Sequence, residues 1–220
     1  MRRFHCVVLL LVPLGFVAQP SAGQRFDPAE NSRRYFAGNT VSTTNISGVA
    51  GNSHTTREPG NDAFLYGMEF DEVSDRPCYL KLYWWRHNVA TVPGDWLFET
   101  VFNKCPGGSP PGDEELIIPN VSIVNLRAIH ALKVCLSGAA NHRLKGMMIY
   151  GSHIDRSGDS GVERDTALQQ HFERPNCATQ QQKRSCDPGK VAVGVIIEHD
   201  GDSIVGLSLK CTAVIPRIVL

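Results

Sequence analysis

Short apolar runs, each the length of a strand, recur along the chain and are cut by glycine and proline. Residues 79–85 (YLKLYWW), 129–135 (IHALKVC), 147–150 (MMIY), 191–197 (VAVGVII) and 204–214 are rich in β-branched and aromatic side chains, which predicts strands. Between them stand Pro93-Gly94, residues 105–112 (CPGGSPPG), 157–161 (SGDSG), 187–189 (DPG) and Asp200-Gly201, all of them turn chemistry. One stretch, residues 163–172, suits a short, half-polar helix. The pattern as a whole predicts an all-β domain over residues 61–220, built of repeated hairpins in a β-prism or a β-sandwich-like arrangement.

An internal repeat lies within this pattern. The order apolar-x-Gly-apolar-x-apolar occurs at residues 65–70 (LYGMEF), 144–149 (LKGMMI) and 204–209 (IVGLSL). Alternation along a strand puts Met68 with Phe70, Met147 with Ile149 and Leu207 with Leu209 on an inward face, and each glycine on the other. A glycine inside a strand marks a bulge or a close backbone approach. Three such units suggest a pseudo-threefold prism or a sandwich assembled from repeats.

Residues 24–60 follow a different rule. They are poor in large apolar groups and rich in Gly, Ser, Thr and Asn, so little buried surface offsets the entropy of ordering them. A loosely ordered N-terminal segment is expected, with a Thr-rich edge strand as the alternative.

The first 23 residues assign the rest to a compartment. Arg2 and Arg3 precede an apolar run at 7–17 that is too short to span a bilayer, and Ser21-Ala22-Gly23 offers small residues for cleavage. That is the make-up of a secretory signal peptide over residues 1–23. Its removal takes Cys6 and leaves Cys78, Cys105, Cys135, Cys177, Cys186 and Cys211, an even set that reads as three disulfides in a secreted domain. Fifteen pairings are possible. Proximity favours Cys177–Cys186, Cys135 and Cys211 sit in corresponding hairpins, and Cys78–Cys105 would then close the segment holding all three tryptophans. Metal use would need short Cys-x-x-Cys spacing, which is absent, and no cofactor is expected.

Charge narrows the partners. Losing Arg2 and Arg3 takes 22 basic residues to 20 against 22 acidic ones, so the mature chain carries −2. A nucleic-acid binder held by a basic face is not expected, and no second apolar run of spanning length follows the leader. Oligomeric state is not legible. Asn45-Ile-Ser47 and Asn120-Val-Ser122 fit the N-glycosylation sequon, which applies only in a eukaryote.

The candidate chemistry is sparse. Gly158-Asp-Ser-Gly161 has the four residues of a serine-protease nucleophile motif, but its surroundings do not fit, and Gly, Asp and Ser are the commonest turn formers. Asp155, Asp159, Glu163 and Asp165 are oxygen ligands of the kind calcium takes, in an order unlike a recognised calcium loop. They read as a solvated loop, with no metal. His153 and Asp155, two apart on a strand, would share a face, the arrangement of a histidine general base with a carboxylate partner. His87, His142, His171 and His199 are scattered further candidates, and no catalytic residue is assigned.

The aromatic stretch Tyr83-Trp84-Trp85-Arg86-His87 is the most suggestive. Alternation would turn one of Trp84 and Trp85 inward and the other to solvent, where a ring could stack on a sugar while Arg86, His87 and Asn88 take its hydroxyls. The competing reading packs both rings in a core. Ligand contact, on this view, falls to Trp84, Trp85, Arg86 and His87, with His153, Asp155 and Asp159 on a glycine-containing loop.

Residues 186–194 (CDPGKVAVG), an acidic turn, and residues 204–211 (IVGLSLKC) resemble the Cys-Pro-x-Gly, apolar-Gly and Gly-Leu-x-Leu-x-Cys modules of secreted β-repeat proteins such as the vitelline membrane outer layer protein I family. The resemblance covers about 35 residues. Asp187 replaces the usual residue after the cysteine, and the two earlier repeats lack the module's cysteine spacing. It implies a β-prism in a secreted setting and carries over no site residue. The leading expectation is therefore a secreted, non-catalytic binding protein for a glycan or a cell-surface partner. The alternatives are an extracellular polymer-degrading hydrolase or lyase using carboxylates and histidine, and a secreted toxin or inhibitor whose contact element is the 177–186 loop.

Overall fold

The computed structural model describes residues 33–60, 63–86, 97–108, 114–119, 126–138, 142–154 and 162–218. Four short strands come first: β1 (Arg33–Ala37), β2 (Ser42–Thr43), β3 (Ser47–Gly48) and β4 (Ser53–Arg57). A second group holds β5 (Ala63–Val73), β6 (Arg76–Arg86), β7 (Leu97–Asn103) and β8 (Glu114–Ile117). A third holds β9 (Arg127–Leu136), β10 (Leu144–Ile154), β11 (Val162–Glu173), β12 (Thr179–Gln180) and β13 (Arg184–Ser185). Two long strands, β14 (Lys190–Asp200) and β15 (Ser203–Ile218), end the series. Among the described residues no helix is long and apolar enough to cross a membrane.

The fold is all-β, as the hydrophobic pattern predicts. The helix expected over 163–172 is instead most of β11, paired in register with β10 from Ile154↔Val162 to Gly146↔Glu173. Its helical pattern is weak, and pairing to a long buried neighbour decides its state.

Three antiparallel sheets result. The first runs β7-β6-β5-β8, the second β11-β10-β9-β12 with β13 also on β9, and the third β1-β15-β14-β4 with β2 and β3 on β15. Their inward side chains meet in one cluster: Met68, Phe70, Leu82 and Trp84 from the first, Leu132, Val134, Met147 and Ile149 from the second, Val195, Ile197, Leu207 and Leu209 from the third. Three walls around one core make a prism. Each large side chain buried there is worth about 1.5–3 kcal/mol of transfer free energy. A second cluster, with Phe64, Tyr66, Trp85, Ala128, Ile154 and Val193, forms a separate apolar region.

The repeat seen in the sequence is a real threefold. In each unit the register skips one residue just before the glycine: Tyr66 between Leu65 and Gly67, Lys145 between Leu144 and Gly146, Val205 between Ile204 and Gly206. The carbonyl of each skipped residue then accepts an N–H from the neighbouring outer strand: Ile118 N to Tyr66 O at 3.0 Å, Arg174 N to Lys145 O at 2.8 Å, Val49 N to Val205 O at 3.1 Å. These are three copies of one bulge. The inward residues predicted after each glycine are all in the core.

The first two walls are joined by charge. The β5–β6 turn, with positive φ at Ser74 and Asp75, carries Asp75 across to Lys145, whose side chain is fully buried and also meets Glu72. Asn176 donates to the same Asp75 carboxylate at 2.8 Å, and Arg174 lies 3.4 Å from Glu72. Residues 33–57, low in apolar surface, are held mainly by backbone pairing along β15 and β14. Thr55 and Thr56 of β4 pair with Ile197 and Ile196, which is the Thr-rich edge strand.

Of the disulfides, Cys78–Cys105 forms as expected and closes the segment that holds the tryptophans. The others are Cys135–Cys177 and Cys186–Cys211, in place of the expected Cys177–Cys186 and Cys135–Cys211. The reason is the alternation of side chains. Cys211 and Cys186 point into the common core, whereas Cys135 stands opposite outward-facing Gly146. The 177–186 loop needs no bridge of its own, because β12 and β13 pair with β9. Each closed loop contributes about 3 kcal/mol in a chain-entropy account.

Candidate functional site

The three outward-facing glycines leave three recesses in the sheet surfaces, and these differ in what fills them. Beside Gly67, an added Cβ would meet the Ile117 side chain at 3.0 Å and the Tyr83 ring at 3.2 Å. Beside Gly206 it would meet Val49 O at 2.6 Å and Ile46 Cγ2 at 2.8 Å. The first recess is filled by large side chains of its flanking strands β6 and β8, and the second by residues 46–49, which pack against the glycine. At Gly146 the nearest atoms are Phe172 O, Cys135 Cβ and Glu173 Cα, all belonging to the flanking strands. Here the surface opens into a cavity of about 80 Å³ lined by Lys133, Cys135, Met148, His171, Glu173 and Gln180.

Register explains how these side chains converge. Gly146 is paired with Cys135 and Glu173, and Cys135 in turn with Gln180. Two residues along each strand the same face returns, with Met148 between Lys133 and His171. Two rows therefore border the recess, Glu173–Gly146–Cys135–Gln180 and His171–Met148–Lys133. The Gln180 amide donates to Glu173 Oε2 at 2.7 Å, bridging the first row over the glycine. The next row holds Tyr150, with the Lys183 ammonium 3.7 Å from its ring centroid.

The sheet-one rows at the equivalent level are saturated. Glu69, paired with Lys81 and Glu115, accepts from the Tyr83 hydroxyl and lies 2.9 Å from the Lys81 ammonium, which also reaches Glu99 at 3.7 Å. Burial and its bond to Glu69 push the Tyr83 phenol far above its ordinary pKa, so it stays protonated as the donor.

The residues singled out from sequence are distributed elsewhere. Trp84 and Trp85 are both 0% exposed, so the expectation that one ring faces solvent is corrected. Trp84 lies in the common core and donates to Thr100 Oγ1 at 2.8 Å. Trp85 packs against Phe64 in a tilted contact with ring centroids 4.5 Å apart and donates to Arg127 O at 2.6 Å. Alternation holds, but segments outside sheet one cover the outward ring as well. Arg86 lays its guanidinium over Phe98 at 5.0 Å and reaches Pro59 O at 3.5 Å. His153 stands opposite Arg127 and Glu163, which puts it near Trp85 and five residues along β10 from Met148, roughly 17 Å at strand rise. His87, Asp155, Asp159 and Asn120, with the 158–161 motif, lie outside the described residues.

Among the described histidines, only His171 lines the recess. His199 is buried, with Nδ1 donating to Gly201 O at 3.2 Å and Nε2 accepting from Thr55 at 3.2 Å. His142 is exposed, with φ 42°. His130 Nδ1 lies 2.8 Å from Ser152 Oγ, but both residues are buried, out of reach of a substrate. Asn45 is exposed, while Ser47 of the same sequon is buried, donating to Gln182 O and accepting from Val134 N, each at 3.0 Å. Lys133, Met148, Glu173 and Gln180 had no motif to announce them. Their signal was the internal repeat, which marks Gly146 but not which recess stays open.

No protein-family model matches the chain, and no curated protein sequence matches it. Solved structures do. Calystegia sepium agglutinin is similar with a TM-score of 0.48 at 10% identity, over 79% of this chain and 97% of that one. A mannose-binding jacalin-related lectin from Ananas comosus gives 0.47 at 9% identity, over 79% and 98%. Frutapin, a lectin from Artocarpus incisa, gives 0.48 at 8% identity, over 80% and 99%. These are lectins rather than members of the vitelline membrane outer layer family.

Proposed function

We propose that the chain is a secreted, non-catalytic glycan-binding protein whose site is the recess over Gly146. One observation carries this. Of three equivalent glycine recesses, the one in sheet two is open, and it presents a carboxylate, a primary amide, an imidazole and an ammonium around the Met148 side chain. Sugars need that set, because their hydroxyls ask for paired donors and acceptors beside an apolar patch. A rigid three-walled scaffold with disulfides holds the set without a ligand, so little ordering cost falls on binding. The leader sequence and the six paired cysteines support an extracellular setting.

The test is a glycan array probed with purified, disulfide-intact mature protein. Binding is expected to a subset of printed glycans and to fall at least tenfold in Glu173→Ala and Gln180→Ala, both exposed positions whose loss leaves thermal unfolding unchanged. A blank array, or binding untouched by both variants, removes the proposal.

A further inference from the structure

We infer that the recess over Gly146 selects glycans that end in a sugar bearing a single negative charge, an inference that rests on the glycan reading above and narrows it. The pseudo-threefold supplies the argument. At one equivalent level, sheet one carries the row Glu115–Glu69–Lys81 and sheet two the row His171–Met148–Lys133. The lysine is common to both. In sheet one its charge is matched, by Glu69 at 2.9 Å and Glu99 at 3.7 Å. In sheet two the position of Glu69 is taken by Met148 and that of Glu115 by His171. Among the described residues the side chains of Lys133 and His171 make no hydrogen bond or ion pair. The same scaffold thus keeps the cation and drops its carboxylates, on the one wall whose recess is open. A carboxylate or sulfate on the ligand restores the missing partner.

Two further features limit what fits. The first is charge along the recess. Glu173 stands two residues from His171 on β11, about 7 Å along the strand, and holds Gln180. It repels a second anion there and accepts from neutral hydroxyls. The recess is therefore polarised, with its anion end at Lys133 and His171 and its hydroxyl end at Glu173 and Gln180, which orients one sugar and disfavours a polyanion. The second is size. About 80 Å³ is far below the roughly 300 Å³ of a small-molecule pocket, so a terminal residue enters and the rest of the chain stays in solvent.

The experiment is an array that prints each neutral oligosaccharide beside its sialylated, uronylated and sulfated derivatives, followed by titration of lactose, 3′-sialyllactose and 6′-sulfolactose. Acidic derivatives are expected to bind at least tenfold more tightly than their neutral parents at low salt. The advantage should shrink in 0.5 M sodium chloride, because an exposed ion pair is screened. Lys133→Gln should erase it while melting temperature is unchanged. Preference for the carboxylate pair, the sulfate pair or both identifies the anion and supports the inference. Neutral glycans bound equally or better overturn it and leave the glycan reading standing. Acidic preference that survives Lys133→Gln overturns it too, and an array without binding overturns both.

Discussion

The outer faces of sheets one and two are the same backbone finished in opposite ways. Both carry a bulge before a glycine, the same carbonyl bond to the outer strand and a lysine one row away. In sheet one the residues flanking the glycine are Tyr83 and Ile117, large enough to fill the recess, and the lysine beyond them is paired with carboxylates. In sheet two the flanking residues are Cys135, tied to Cys177 at the β12 side, and Glu173, exposed. Side-chain volume at two positions separates a structural face from a receptive one. Symmetric scaffolds can therefore be searched for function by asking which copy of a shared feature was left unfilled.

Even the skipped residue divides the two faces. Tyr66 packs in an apolar cluster, and its phenol is raised by burial and then by Glu99 and Glu115. Its counterpart Lys145 is a buried ammonium that bolts sheet two to the tip of sheet one.

Emptying the sealed recess should have the largest effect. Tyr83→Ala removes a buried ring from Gly67 and is expected to lower unfolding free energy by about 3 kcal/mol in urea melts. A loss under 1 kcal/mol would mean the two faces are not sealed and open versions of one recess. Lys145→Ala should cost about 2 kcal/mol, since Glu72 and Asp75 lose their cation but are partly exposed and can rehydrate. Tyr83→Phe keeps the ring and loses one hydrogen bond to a carboxylate, so about 1 kcal/mol is expected from the same melts. His171→Ala, on the receptive face, should stay within about 0.5 kcal/mol of the parent while weakening glycan binding on the array. A larger stability loss there would make that face structural after all.

The smallest effect concerns acid. The Asp75 carboxyl is held below its ordinary pKa, first by its hydrogen bond from Lys145 and then by Asn176 and the Lys145 and Arg143 charges. A carboxyl depressed in the folded state stabilises fully above its unfolded pKa of about 3.9, and that contribution fades as pH falls through the lower folded value. Melting temperature between pH 5 and 2 should therefore drop more in the parent than in Asp75→Asn. Equal slopes would show that the bolt between the sheets does not depend on this charge.

Much of the fold was legible. Strand-length runs cut by Gly and Pro predicted the β class, and the repeat predicted three units with Met68, Met147 and Leu207 turned inward. The site was not. Trp84 and Trp85 look like a ligand cluster because aromatic residues serve cores and binding faces alike, and burial from outside their own sheet decided which. Cys135 and Cys211 look equivalent by hairpin, but one-residue alternation faces them to opposite sides.

By itself the sequence determined what is local or periodic: strand lengths, turns, the glycine at each bulge, and the set of cysteines available to pair. These follow from backbone sterics and the period-two geometry of a strand, which need no knowledge of distant chain. Only the tertiary structure decided which cysteines meet, which tryptophan has a cover, which charge has a partner, and which of three like recesses stays empty. Each of those depends on residues far apart in sequence reaching one place, where volume and charge are settled jointly by all the walls that meet there.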